Sequence, residues 1–173
     1  MRIPGSLDRL VLDHLPAALR FATRLTGDPD RAEELVQEAL LRVVRNWATF
    51  RGEAAFRTWF FRIVINVFRD RLRASSTDEI QFDENQTDLI DLADGGPPQA
   101  AMAEELGRLV AKEVSRLPPR QREVLVLIVF EGLSVREVAE VIHISEANVH
   151  STLSAARTRL KTRLAPYLGS VEK

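Results

Sequence analysis

Apolar positions three or four residues apart recur along most of the chain, and each run is bounded by helix start and stop signals. Ser6 can cap a first helix whose stripe runs through Leu7, Leu10, Val11, Leu15, Ala18, Leu19, Ala22 and Leu25; Pro16 bends it and Thr26-Gly27 ends it. Asp28 caps the next, with Pro29 in the favoured first position and acids in the opening turn. Ala32, Leu35, Val36, Ala39, Leu40, Val43, Val44 and Trp47 form its broad apolar face. Thr49-Phe-Arg-Gly-Glu53 reads as a loop with Gly52 as breaker, and a third helix spans about 54–73. Periodicity is lost over 74–100, where Ser, Thr, Asp, Gly95-Gly96 and Pro97-Pro98 collect. A helix resumes near Gln99 and runs to about Arg116, and Pro119 opens another over 120–131, closed by Gly132. The pattern is all-α: two small helical domains, 1–73 and 101–173, joined by a flexible linker over 74–100 that allows their spacing to change.

The last two helices show the densest signal. Ser134-Val-Arg-Glu137 is a capping box, in which Ser134 accepts from the amide three residues on while Glu137 reaches back. Val135, Val138, Ala139, Val141 and Ile142 give the helix its apolar face. His143-Ile-Ser145 interrupts it, and Ser145 caps a longer helix with Val149, Leu153, Ala156, Leu160 and Leu164 at helical spacing. Two helices across a tight turn form a helix-turn-helix with Glu146 to Ser154 as its recognition end. Ordinary helical hairpins outnumber DNA-binding ones. Here, however, the outward Asn148, His150, Ser151, Thr152 and Ser154 are short and polar, as a groove-entering face should be.

Charge sharpens the division. Residues 1–73 hold thirteen Lys/Arg against nine Asp/Glu, and 104–173 hold eleven against nine, whereas 74–103 hold seven acids and no base. Two basic lobes tied by an acidic strap suit a protein that binds a polyanion. With no cysteine and only three scattered histidines, His14, His143 and His150, neither a disulfide nor a metal site is expected. No run approaches the roughly 18 apolar residues of a membrane span, and the N-terminus lacks a signal-peptide core, so a cytoplasmic location without membrane insertion is expected. No glycine-rich phosphate loop, Ser/His/Asp set or paired carboxylates stand at a usable spacing, so neither catalysis, a cofactor nor a small-molecule substrate is indicated.

The third helix carries Phe56, Trp59, Phe60, Phe61 and Phe68 together with Arg57, Arg62, Arg69, Arg71 and Arg73. Trp59, Phe60, Ile63, Val64 and Val67 are accounted for as core. A surplus such as Phe61 beside arginines would suit stacking on unpaired bases next to phosphate contacts.

These residues resemble a known family. Arg20-Phe-Ala-Thr-Arg-Leu-Thr-Gly-Asp28, Ala32-Glu-Glu-Leu-Val-Gln-Glu38, Phe50-Arg-Gly52, Phe56-Arg-Thr-Trp-Phe60, and Arg62-Ile63 with Asn66 and Asp70 are similar to region 2 of bacterial sigma factors of the extracytoplasmic-function group, in the sigma-70 family. Leu117-Pro-Pro-Arg-Gln-Arg-Glu-Val124, Glu131-Gly-Leu-Ser134, Glu137-Val-Ala139 and Ile144-Ser145 resemble their region 4. The combination, in this order and around this linker, covers nearly the whole chain.

The resemblance implies a non-enzymatic subunit that binds core RNA polymerase and directs promoter recognition and opening. It places the outward Glu34, Gln37, Glu38, Leu41 and Arg42 on the polymerase clamp helices, and the 120–130 helix near the flap. It assigns the loop from Ala48 to Ala55, with Phe50, Arg51 and Gly52, to capture of a base flipped from the -10 non-template strand. Phe56, Phe61, Arg62, Asn66, Arg69, Asp70 and Arg73 fall in the -10 segment. Ser145, Glu146, Asn148, His150, Ser151, Ser154 and Arg157 would face the -35 duplex. The acidic linker would thread the polymerase cleft and mimic nascent RNA, and an anti-sigma factor is the implied regulator.

One departure from the family pattern stands out. Thr152 and Ala155 occupy positions where arginines are common, and His150 is a weak substitute for a fixed charge at neutral pH. Fewer phosphate contacts mean lower affinity and a shallower salt dependence. The alternative is a sigma-like protein-interaction module with weakened -35 binding. A one-component regulator with the same helix-turn-helix would leave the region 2 sequence unexplained.

Overall fold

The computed structural model describes residues 5–50, 55–77 and 98–168, and every regular element among them is helical. Helix α1 (Gly5–Thr26) contains Pro16 and stops where Gly27 adopts φ +74°, a left-handed conformation open to glycine at little cost. The Asp28 carboxylate accepts from the Asp30 and Arg31 amides at 2.8 and 3.1 Å, which starts α2 (Pro29–Asn46) with Pro29 in its first turn. Ala32, Leu35, Val36, Ala39 and Val43 are its buried side. A 3-10 turn (Trp47–Thr49) follows, then α3 (Phe56–Thr77), which continues four residues past the boundary expected at Arg73. Helices α1, α2 and α3 pack on one another as the N-terminal lobe.

The C-terminal lobe comprises α4 (Pro98–Ser115), α5 (Pro119–Leu125), α6 (Val135–Ile142) and α7 (Glu146–Leu168). The expected helix over 120–131 is α-helical only to Leu125. From Val126 to Phe130 it widens into a π turn, with the Glu131 amide donating to Val126 O at 3.0 Å. Val124, Leu125, Val126 and Leu127 are all buried, so neighbours surround the first part of the apolar run from Val124 to Phe130, whereas Val129 and Phe130 at its end are exposed. At α6 the capping box is complete: Ser134 Oγ accepts from the Glu137 amide at 3.2 Å, and the Ser134 amide donates to the Glu137 carboxylate at 2.8 Å. The turn into α7 passes through His143 at φ 56°, ψ 55°.

The two helical lobes expected from the sequence are present, and in the described conformation they pack together. Helix α1 touches α4 and α5, α3 touches α6, and one apolar cluster runs through both lobes. A Cβ placed on Gly27 would lie 2.8 Å from Ser115 Cβ, so the end of α1 fits α4 with no space for a methyl group. Most of the 74–100 linker lies outside the described residues.

Candidate nucleic-acid interface

Helix α7 is divided cleanly by burial. Val149, Leu153 and Ala156 turn inward against α5 and α6, while Glu146, Asn148, His150, Ser151, Ser154 and Arg157 are exposed. Exposed Ser145 accepts from the Asn148 amide at 3.2 Å and so caps the helix; the Ser151 hydroxyl donates to Asn148 O at 3.1 Å. All seven residues nominated for duplex contact therefore lie along the first half of one helix and its cap, outside the core. Thr152 is half-buried and Ala155 exposed.

Helix α3 requires correction. Phe61, expected as a surplus aromatic, is 0% exposed: its ring lies 4.6 Å from that of Phe21, and the Arg57 guanidinium sits 5.2 Å from its centroid. Phe56 is likewise buried, among His14, Phe50, Trp59 and Phe60. Neither ring can stack on a base in this conformation. Half-buried Phe50 stacks on Trp47 with centroids 5.4 Å apart, closing the aromatic cluster beside the loop. Arg51 and Gly52 lie outside the described residues. Asn66 and Arg73 are exposed, and Arg62 is half-buried with Nε enclosed and without a hydrogen-bond partner.

Charges lace α2 to α3. Arg42 donates to Asp70 at 2.6 Å and to Glu38 at 2.7 Å. Arg71 reaches Glu38 at 3.2 Å and Glu34 at 3.3 Å. The hydrogen bond from Arg42, with help from Arg73, holds the Asp70 carboxyl below its ordinary range against the opposing effect of burial. The same bond to Asp70 raises Arg42. Gln37 and Leu41 stay exposed on this face, whereas Glu34, Glu38 and Arg42 already have partners within the lobe.

Sequence reasoning missed the acids that face α3 from the other lobe. Glu123, 1% exposed, receives Arg69 through two parallel bonds of 2.9 and 2.6 Å. Glu131, 7% exposed, receives Arg24 and Arg57 at 3.2 Å each. Arg24 also lies 4.7 Å from the Phe130 ring. Arg122 donates to Leu25 O at the end of α1 and to Leu117 O, and burial pushes its pKa down to about 10, which leaves it cationic at neutral pH. The two acids bracket the apolar run from Val124 to Phe130, which was the available signal, since an acid at the edge of such a run is drawn into the core and needs a cation.

Comparison with known proteins covers both lobes. Residues 10–77 match the family model described as Sigma-70 region 2, and residues 107–160 match that described as Sigma-70, region 4. The chain is 30% identical over 172 residues to RNA polymerase sigma-H factor of Pseudomonas aeruginosa, a match covering 94% of this chain and 88% of that protein. Its structure is similar to that of the sigma factor RpoE of Bartonella quintana, solved with the anti-sigma factor NepR: TM-score 0.74, 25% identity, 92% of this chain and 97% of the other. It is also similar to CnrH, solved with the cytosolic domain of CnrY: TM-score 0.66, 25% identity, 92% and 87%.

Proposed function

The chain belongs to the extracytoplasmic-function group of the sigma-70 family of RNA polymerase sigma factors, and from that premise we propose how its parts divide the work of directing transcription initiation. Leu41 and Gln37, with the charged Glu34, Glu38 and Arg42 around them, dock α2 on the polymerase clamp. Asn66, Arg62, Arg69 and Arg73 on α3, together with the 48–55 loop, hold the -10 non-template strand. Asn148, His150, Ser151, Ser154 and Arg157 enter the -35 major groove, with Ser145 and Glu146 at its edge. Phe56 and Phe61 support α3 from within. The protein acts without catalytic residues of its own and works in the cytoplasm. An anti-sigma factor regulates it, as the complexes of RpoE and CnrH suggest by analogy.

The observation that carries this assignment is the division of α7, whose apolar positions are enclosed while the polar start of the helix is left open. A recognition helix needs a rigid seat on one side and hydrogen-bonding groups on the other. Run-off transcription with core polymerase and a promoter library tests it. Specific starts above core alone are expected, and their loss on Asn148→Ala would place that residue at the DNA; no specific start would refute the assignment.

A second function, a protein-interaction module that has lost -35 reading, is favoured by Thr152 and Ala155 and by the exposure of Val129 (52%) and Phe130 (40%). Fluorescence anisotropy with a -35 duplex and a scrambled duplex separates the two, since only a protein that reads base edges prefers one sequence over the other.

A further inference from the structure

We propose that the groove between α5 and α7 seats the sugar-phosphate backbone of one DNA strand beside the -35 element, held by Arg159 and Thr158 of α7 and by Gln121 of α5. None of the three belongs to the face assigned above. The proposal rests on that assignment, which places the start of α7 in the -35 major groove.

The groove is an open space of about 700 Å³, with Gln121 in one wall and Ser151, Ala155, Thr158 and Arg159 in the other. Short side chains at 151 and 155 keep it open, and Ser151 and Ser154 line it while also belonging to the recognition face. The two surfaces are therefore continuous. Thr158 and Arg159 stand about 18 Å along α7 from Glu146. A major groove is only about 12 Å wide, so this part of the helix passes its rim, where the phosphates lie.

Charge and hydrogen bonding point the same way. No acid lines the groove. Arg163, at its far end, is tied to Glu113 at 3.5 Å and to Arg116 O at 3.3 Å, whereas exposed Arg159 makes no ion pair among the described residues. Gln121 Oε1 is enclosed without a hydrogen-bond partner, so nothing in the lobe fixes that amide, and its NH2 end can turn to a phosphate oxygen. An acidic protein helix fits less well, since a helix docked in a groove needs apolar anchors and the lining offers no large apolar side chain. Val129 and Phe130 lie elsewhere, on the π turn. The phosphate grip thus sits about one turn beyond Thr152 and Ala155, which carry no charge of their own.

The test uses the full chain and two fluorescent duplexes, one carrying a -35 element selected by run-off transcription and the other scrambled. Arg159→Gln is expected to weaken both duplexes by the same factor and to make the slope of log affinity against log salt shallower by about one. Arg9→Gln, at an exposed position on α1, removes the same charge and leaves the slope unchanged. Gln121→Ala should weaken binding at constant slope, because a neutral amide displaces no counterion. Neutral methylphosphonates placed singly along each strand locate the contact: the one that weakens the unmodified chain should have no further effect on Arg159→Gln. Equal slopes in Arg159→Gln and Arg9→Gln overturn the strand seat. So does a loss of affinity for a poly-glutamate peptide with DNA binding retained, which would make the occupant an acidic protein. Equal affinity of the unmodified chain for both duplexes, with the Arg159→Gln slope change present, refutes the base-reading assignment alone.

Discussion

Ser134 and Glu137 show how much a single position can settle. Their reciprocal bonds fix where α6 starts, and Ser134→Ala is expected to cost about 1 kcal/mol, measured by chemical denaturation. The Ser134 amide and hydroxyl both donate to Glu137 and hold its carboxyl below the ordinary range, as Arg42 does first for Asp70. A depressed carboxylate contributes stability that is present above its unfolded pKa, about 4, and is lost as the pH falls through the lower folded value. The melting temperature should therefore fall on acidification below about pH 4, and fall less steeply in Glu137→Gln and Asp70→Asn. The cap and the Asp28 start were legible because each is written within four residues. Phe61 was misjudged because helical spacing reports one buried face, whereas α3 is covered from more than one side and sequence gives no sign of the second cover.

Among the elements, α7 separates stability from recognition. Leu153→Ala should cost about 2–5 kcal/mol and unfold the lobe at a lower temperature. Asn148→Ala should leave the folding free energy within about 0.5 kcal/mol while weakening -35 duplex binding. Measuring both properties on both variants checks that packing and contact lie on opposite faces. The helix-turn-helix was readable because His143-Ile-Ser145 interrupts the apolar period, with Ser145 able to cap a new helix, before it resumes at Val149. The π turn after α5 was not, since a one-residue widening leaves composition and period almost unchanged over five residues.

For the molecule as a whole, all-α architecture and two lobes were evident from spacing and charge, but the joint between lobes was hidden. Its ion pairs join residues 54, 74 and 107 positions apart, and no local pattern links an acid in α5 to an arginine in α3. The α2 face offers a further check at this scale. Exposed Leu41 has no role in the core, so Leu41→Asp should weaken assembly with core polymerase by about tenfold or more, seen by gel filtration or anisotropy, without altering the melting temperature.

Gly27 makes the seam between the lobes unusually open to evolutionary adjustment. A glycine codon becomes an alanine codon by one nucleotide change, and the added methyl would strain a backbone at φ +74° and press on Ser115. Such a change would widen the seam while leaving every exposed side chain of α7 as inherited.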